Sequence, residues 1–138
     1  MDDSTRSRIV AEYRRLRRYR RIIRRHAEYD TLPIEERISH LKDMDWLEQV
    51  DPSMAMMPEA ERVSLLSERV QVLEEALAAA AAGASEQVSH LIAESLYRNL
   101  ACNVPLKSLP FSSPTLTKYR GRVFDIAAEK FALNEENA

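Results

Sequence analysis

The chain has 138 residues, enough for one domain or for a small domain with a helical arm. It holds only 2 glycines, and its richness in alanine, leucine, arginine and glutamate favours an all-α fold built as a helical bundle. The net charge of −2 hides an asymmetry. Residues 1–27 hold 10 arginines against 3 acidic residues, whereas residues 28–75 hold 13 acidic residues against 4 basic ones. We expect segments of opposite sign to face different partners or each other.

Several classes of protein are excluded by what the sequence lacks. No apolar run approaches the ~20 residues that cross a membrane. The opening residues Met1–Ser4 lack the basic and then apolar order of a signal peptide. We therefore expect a cytoplasmic protein with no membrane partner. The single cysteine, Cys102, fits a reducing compartment, and its apolar neighbours predict a buried, inert thiol.

A first helix is predicted near residues 6–29, and it is strongly basic. Its narrow apolar stripe includes tyrosines, which favours packing on protein over insertion into lipid. The rest of the helix forms a predicted second basic surface, consisting of Arg14, Arg17, Arg18, Arg21 and Arg25. Such a surface can bind nucleic acid, an anionic membrane surface or the acidic segment of the same chain.

A second, acidic helix is predicted near residues 33–49, and with the first it makes a predicted domain over residues 1–57. Trp46 is its expected core anchor. Helical spacing predicts that its buried side consists of Ile34, Ile38, Leu41, Met44 and Leu47. His26 and His40 have no ligand at metal-site spacing, so they are interpreted as isolated residues.

The third predicted helix, near residues 59–82, shows the clearest periodicity and makes a predicted domain over residues 58–84. Its stripe alternates β-branched valine with leucine, as parallel two-stranded coiled coils do. The predicted oligomerisation residues are Val63, Leu66, Val70, Leu73 and Leu77. We expect a homo-oligomer, most simply a dimer; the alternative is antiparallel pairing with the first helix of the same chain. Gly83 should end this helix.

The predicted domain over residues 85–133 has the layout of a helix-turn-helix. A support helix near 86–101 is followed by a short helix near 105–109 and a last helix near 114–131, which Ser113 should cap. The hydroxyl and cationic side chains at its start are donors that reach phosphates and base edges. The predicted DNA-binding residues are Ser112, Thr115, Thr117, Lys118, Arg120 and Arg122. The alternative is an ordinary helical hairpin with a solvated basic face.

These residues also carry a family resemblance. The run that contains Ser112, Thr115, Leu116, Lys118, Tyr119 and Arg120 resembles the start of the recognition helix in sigma-factor region 4-like helix-turn-helices of small phage regulators of the ArpU type. The ending Phe124–Lys130 and the basic segment Tyr13–Arg18 are similar as well. The resemblance implies a DNA-binding transcriptional regulator in a bacterial host cell, with RNA polymerase as a candidate protein partner. The chain departs from the family in its short helix at Pro105 and in having Pro110 where a turn glycine is usual.

No motif of catalytic, metal-binding or phosphate-loop spacing occurs, so we expect a protein without enzymatic activity, cofactor or metal. Three functions therefore compete. The first is a DNA-binding regulator that acts as an oligomer on duplex DNA. The second is an interaction module that works through its acidic and basic helices. The third is a packaging-initiation protein of the small terminase type.

Overall fold

A computed structural model describes residues 1–136 and confirms an all-α helical bundle. No described helix is both long enough and apolar enough to cross a membrane. Three short 3-10 turns lie at Tyr29–Thr31, Pro52–Met54 and Leu106–Ser108. The five helices are α1 (Asp3–Ala27), α2 (Ile34–Val50), α3 (Glu59–Ala80), α4 (Glu86–Cys102) and α5 (Ser113–Glu136).

The helices begin and end where local chemistry favours it. The Ser85 side chain accepts a hydrogen bond from the Val88 N–H and caps α4. Asn103 takes the left-handed conformation, with φ of 57°, at the end of the same helix. Gly83 has a φ of +101°, which a glycine adopts without steric cost, just after α3 ends. Predicted and observed boundaries of α1–α4 agree within a few residues.

The short helix predicted near 105–109 is present as a single 3-10 turn and not as an α-helix. The structure has only the 3-10 turn Leu106–Ser108 there. Pro105 and Pro110 leave too few residues between them to nucleate an α-helical turn, which must order three residues for one hydrogen bond. The connection between α4 and α5 is therefore ten residues long, from 103 to 112. A tight helix-turn-helix is usually joined by three or four residues.

Helix α5 begins one residue earlier than predicted. The Thr115 N–H donates to Ser112 Oγ at 3.3 Å, and the Ser112 hydroxyl donates to Thr115 Oγ1 at 2.7 Å. Ser112 is therefore the capping residue, in place of the predicted Ser113. Pro114 still fits the first turn, where its missing N–H has no intrahelical partner to lose.

The chain divides into two compact units. The middle unit is Arg17–Val70, and the terminal unit is Met1–Leu16 together with Gln71–Ala138. These boundaries fall inside α1 and α3, whereas the sequence predicted boundaries after residues 57 and 84. Two long helices thus contribute residues to both units.

The core of the middle unit consists of the buried residues Tyr19, Ile22, Met44, Leu47, Met54, Val63 and Leu66, with Trp46 half-buried against them. Helix α2 buries Met44 and Leu47 as predicted, but not the rest of the predicted face. Ile34, Ile38 and Leu41 are exposed. The buried face carries two polar residues, His40 and Asp43, beside Met44 and Leu47. Apolar spacing alone mispredicted part of this register, because it takes no account of the arginines that compensate the Asp43 charge inside the unit.

The predicted oligomerisation stripe is already buried within one chain. Val63 and Leu66 are buried in the middle unit, and Val70 packs against its core. Leu73 and Leu77 are buried in the terminal unit, where the Tyr13 hydroxyl donates to the Leu73 carbonyl at 2.7 Å. The stripe therefore offers no free apolar face to a second copy, and intrachain packing is the alternative that the structure favours.

We expect Leu66→Glu to unfold the chain and not merely to dissociate an oligomer. Leu66 has no solvent-accessible surface, so the substitution would place an unpaired carboxylate in the core. The loss should exceed about 4 kcal/mol, the scale of exceptional single substitutions. Thermal melting by circular dichroism and gel filtration would measure both effects, with Ser64→Glu on the exposed face as control. A folded monomeric Leu66→Glu protein replacing a wild-type dimer would contradict this.

A buried carboxylate organises the polar side of the middle unit. Asp43 is 2% exposed and accepts two hydrogen bonds from Arg21, at 2.9 and 2.7 Å, and one from Arg18 Nε at 2.9 Å. Arg25 Nη1 lies 3.7 Å from the same carboxylate. The Arg18 guanidinium also lies over the Trp46 ring, 4.2 Å from its centroid. Burial would raise the pKa of Asp43, but the hydrogen bonds from Arg21 and Arg18 hold it below its usual value.

We expect Asp43→Asn to destabilise the protein by about 3 kcal/mol at neutral pH. This is the low end for breaking a buried ion pair, because Arg18 and Arg21 are partly exposed and can turn to water. The folded carboxyl stays charged to a lower pH than the unfolded one, whose pKa is near ~3.9. Its contribution is therefore complete above that pH and is lost as the pH falls below it.

Urea denaturation at pH 7 and at pH 3 would measure the free energy of unfolding of both proteins. The difference between wild type and variant should be smaller at pH 3. Asp45→Asn makes the same change at an exposed position of α2 and should cost under about 0.5 kcal/mol. Equal effects of the two substitutions would show that Asp43 does not anchor the arginines.

Candidate anion-binding groove and helix face

A groove in the terminal unit has four arginines among its nine lining residues. Its volume is about 610 Å³. The first four turns of α1 form one wall, and Arg120 and Phe124 of α5 contribute to the other. Its lining consists of Asp3, Arg6, Ser7, Val10, Ala11, Arg14, Arg15, Arg120 and Phe124. Four arginines against one carboxylate make this a site of net positive charge.

Three of the four arginines have no ion-pair partner among residues 1–136. Arg15 is paired with Glu12 at 3.3 Å. Arg14 donates only to the uncharged Asn103 side chain, at 3.4 Å. The guanidinium groups of Arg6 and Arg120 lie over the Phe124 ring, 5.9 and 4.8 Å from its centroid. The ring holds these cations without neutralising them, so the groove retains its charge.

Arg120 is the most constrained residue of the groove. Its Nε is buried and has no hydrogen-bond partner in the described structure. Burial lowers the pKa of Arg120, and the positive charges of Arg6 and Arg14 lower it further. An anion in the groove would give this group a hydrogen-bond acceptor and would relieve the repulsion between the three cations.

The exposed start of α5 carries the other predicted DNA-binding residues. Thr117, Lys118 and Arg122 are exposed. Arg122 lies over the Tyr119 ring at 5.0 Å, and neither it nor Lys118 has an acidic partner within residues 1–136. The hydroxyls of Ser112 and Thr115 are engaged with each other in the helix cap, as described above, so they are less free for a ligand than predicted. Leu116 and Val123 are buried and anchor the helix.

The predicted second basic surface is largely used inside the protein. Arg18, Arg21 and Arg25 converge on Asp43, as described above, so most of their charge is compensated. Arg14 belongs to the groove, and Arg17 is exposed. Of the three partners considered for this surface, the acidic segment of the same chain is the one that the structure brings to these three arginines.

Two groups of side chains that could bind a metal ion or react were not predicted from the sequence. His26 and His40, interpreted as isolated, lie together with Glu59 in the middle unit, with one ligand atom of each within 4.8 Å of the others. They come from three different helices, so no local spacing reveals them. Cys102 is exposed and not buried as predicted, because it ends α4 on a face that turns to solvent.

No protein-family profile matches this chain, and no curated protein or solved structure does so either. The resemblance to the small phage regulators therefore stays a prediction that depends on the residues quoted for it. A function for this chain has to be inferred from the geometry of the groove and of the start of α5.

We expect Arg120→Met to stabilise the protein by about 1 kcal/mol, because it removes an unpaired buried donor. Methionine can still pack on the Phe124 ring through its sulfur. Added sulfate should stabilise the wild type more than the variant, because the groove of the variant lacks one cation. Thermal melts in chloride and in sulfate at matched ionic strength would measure this. Arg8→Met, at an exposed position outside the groove, is the control. A destabilised Arg120→Met protein would show that the arginine has a structural role.

Proposed function

We propose that this chain is a non-enzymatic protein that binds duplex DNA, acting as a transcriptional regulator. The groove arginines Arg6, Arg14 and Arg120 bind phosphates. The exposed start of α5, with Thr117, Lys118 and Arg122, faces the major groove of the DNA. The supporting observation is that these cations form no ion pair with an acidic side chain of residues 1–136, whereas most of the other arginines in that range do.

Most other arginines of the chain differ from these cations in having acidic partners. In the middle unit Arg62 pairs with Glu48 at 2.7 Å and Arg69 pairs with Asp51. The arginines around Asp43 are compensated as well. Unpaired guanidinium groups that lie close together repel each other, and an anionic ligand bound between them would relieve this repulsion. DNA presents closely spaced phosphates, and guanidinium groups bind them through paired hydrogen bonds.

Two alternative functions differ from this proposal, one in its partner and the other in its target site. An interaction module without nucleic acid would use the same cations on an acidic protein and would not respond to duplex DNA. A packaging-initiation protein would share the DNA contact and would differ from a regulator only in its target site. The proposal does not require an oligomer through the α3 stripe, because that stripe is buried.

The experiment measures duplex affinity against salt concentration for the wild type and three variants. The log of the binding constant should fall with log salt by ~0.9 for each phosphate contact. The groove variant Arg6→Gln/Arg14→Gln/Arg120→Gln should weaken binding to all sequences and flatten the slope by about three units. The helix-face variant Lys118→Ala/Arg122→Ala should flatten it by about two units if both bind phosphates. Loss of a base contact should instead reduce discrimination by ~1–3 kcal/mol.

The control is Arg8→Gln/Arg24→Gln, which removes two exposed arginines that have carboxylate partners, Glu135 and Glu28. It should leave the slope nearly unchanged. Circular dichroism would verify that all variants keep their helicity. Absence of salt-dependent binding by the wild type to any duplex would refute the proposal. So would equal slopes for the wild type and the two binding variants.

A further inference from the structure

Three side chains with metal-ligand atoms converge in the middle unit. His26 lies in the last turn of α1, His40 lies within α2, and Glu59 is the first residue of α3. His26 Nδ1 lies 2.6 Å from Glu59 Oε2, and His40 Nε2 lies 3.4 Å from Glu59 Oε1. The Glu59 carboxylate is thus shared between two imidazoles.

The second observation is that His40 is buried without hydrogen-bond partners. Its exposed fraction is 0%, and neither Nδ1 nor Nε2 makes a hydrogen bond within the described residues. The Nε2 atom lies at ion-pair distance from Glu59 Oε1, 3.4 Å, but this contact does not meet the geometry of a hydrogen bond. A buried polar group without a partner is costly and rare in proteins. The Tyr29 ring lies 5.7 Å from the His40 ring and shields it further.

We propose that His26, His40 and Glu59 form a binding site for a divalent cation of the zinc type. Two imidazole nitrogens and one carboxylate oxygen are a ligand set that zinc accepts, with water as its fourth ligand. The His40 Nε2 then gains a ligand bond in place of a missing hydrogen bond.

The required movement is small. Zinc–nitrogen and zinc–oxygen bonds near ~2.1 Å in a tetrahedral site separate the ligand atoms by roughly 3.4 Å. The separation of Glu59 Oε1 from His40 Nε2, 3.4 Å, already matches this distance, whereas Glu59 Oε2 must withdraw from His26 Nδ1 by about 1 Å. One ligand atom of each residue lies within 4.8 Å of the other two, so the remaining shifts are also on the order of 1 Å. Glu59 and His26 have side chains that are 39% and 32% exposed, so both can adjust. The same exposure admits the water ligand.

Binding of zinc would link α1, α2 and α3 at one point. A cation that binds only the folded chain stabilises it by mass action. The protein should therefore melt at a higher temperature with zinc than after treatment with EDTA. This inference is independent of DNA binding, because none of its residues lies in the groove or at the start of α5.

The test uses the full chain with Cys102→Ser, since the exposed thiol could bind zinc by itself. Competition with a chromophoric chelator gives the zinc affinity, and thermal melts with zinc and with EDTA give the stabilisation. We expect about one zinc ion per chain and a higher melting temperature. His26→Gln and Glu59→Gln, at partly exposed positions, should each weaken zinc binding by at least about tenfold.

His90→Gln in the same background is the matched control, because His90 is an exposed histidine on α4. It should leave the zinc affinity unchanged. Helicity measured by circular dichroism verifies that each variant is folded. Three results would overturn the proposal: no zinc binding by the Cys102→Ser protein, equal affinity after His26→Gln and Glu59→Gln, or an equal loss in the His90→Gln control.

Discussion

Neutralisation of Asp43 is the constraint on which the middle unit depends. A carboxylate this buried is tolerated only when cations with good geometry surround it. Arg21 binds it through two hydrogen bonds, Arg18 adds a third, and Arg25 lies at ion-pair distance. These contacts set the register of α2, because the face that carries Asp43 and His40 has to turn inward. The apolar residues of the opposite face are left in solvent as a consequence.

The same constraint sorts the positive charge of α1. Its second half contributes Arg18, Arg21 and Arg25 to the cluster around Asp43. Its first half contributes Arg6 and Arg14 to the groove, where neither forms an ion pair with an acidic side chain of residues 1–136. Charge that is compensated by an ion-pair partner stabilises a fold. Uncompensated charge lowers stability and is available to a ligand of opposite charge. A nearly neutral chain can therefore carry a local surplus of positive charge, which the net charge of −2 does not indicate.

Local features were predictable from the sequence, and long-range ones were not. Helix ends follow from capping residues and left-handed positions such as Ser85, Gly83 and Asn103, which act within a few residues. The burial of Asp43 depends on Arg18, Arg21 and Arg25, which are separated from it by 18 to 25 residues in sequence. The apolar periodicity of α2 does not indicate these distant partners. Arg120 is separated from Arg14 by more than a hundred residues, so their meeting in one groove needs the tertiary fold. The convergence of His26, His40 and Glu59 was hidden for the same reason.

The most direct test of the account observes the arginine side chains one by one. Nuclear magnetic resonance of the guanidinium Nε–H groups, recorded as duplex DNA is added, reports which arginines meet phosphates. The account predicts that the signals of Arg6, Arg14, Arg120 and Arg122 shift, while those of Arg18 and Arg21 stay unchanged because Asp43 already holds them. Shifts confined to Arg18 and Arg21, or no shifts at all, would contradict it.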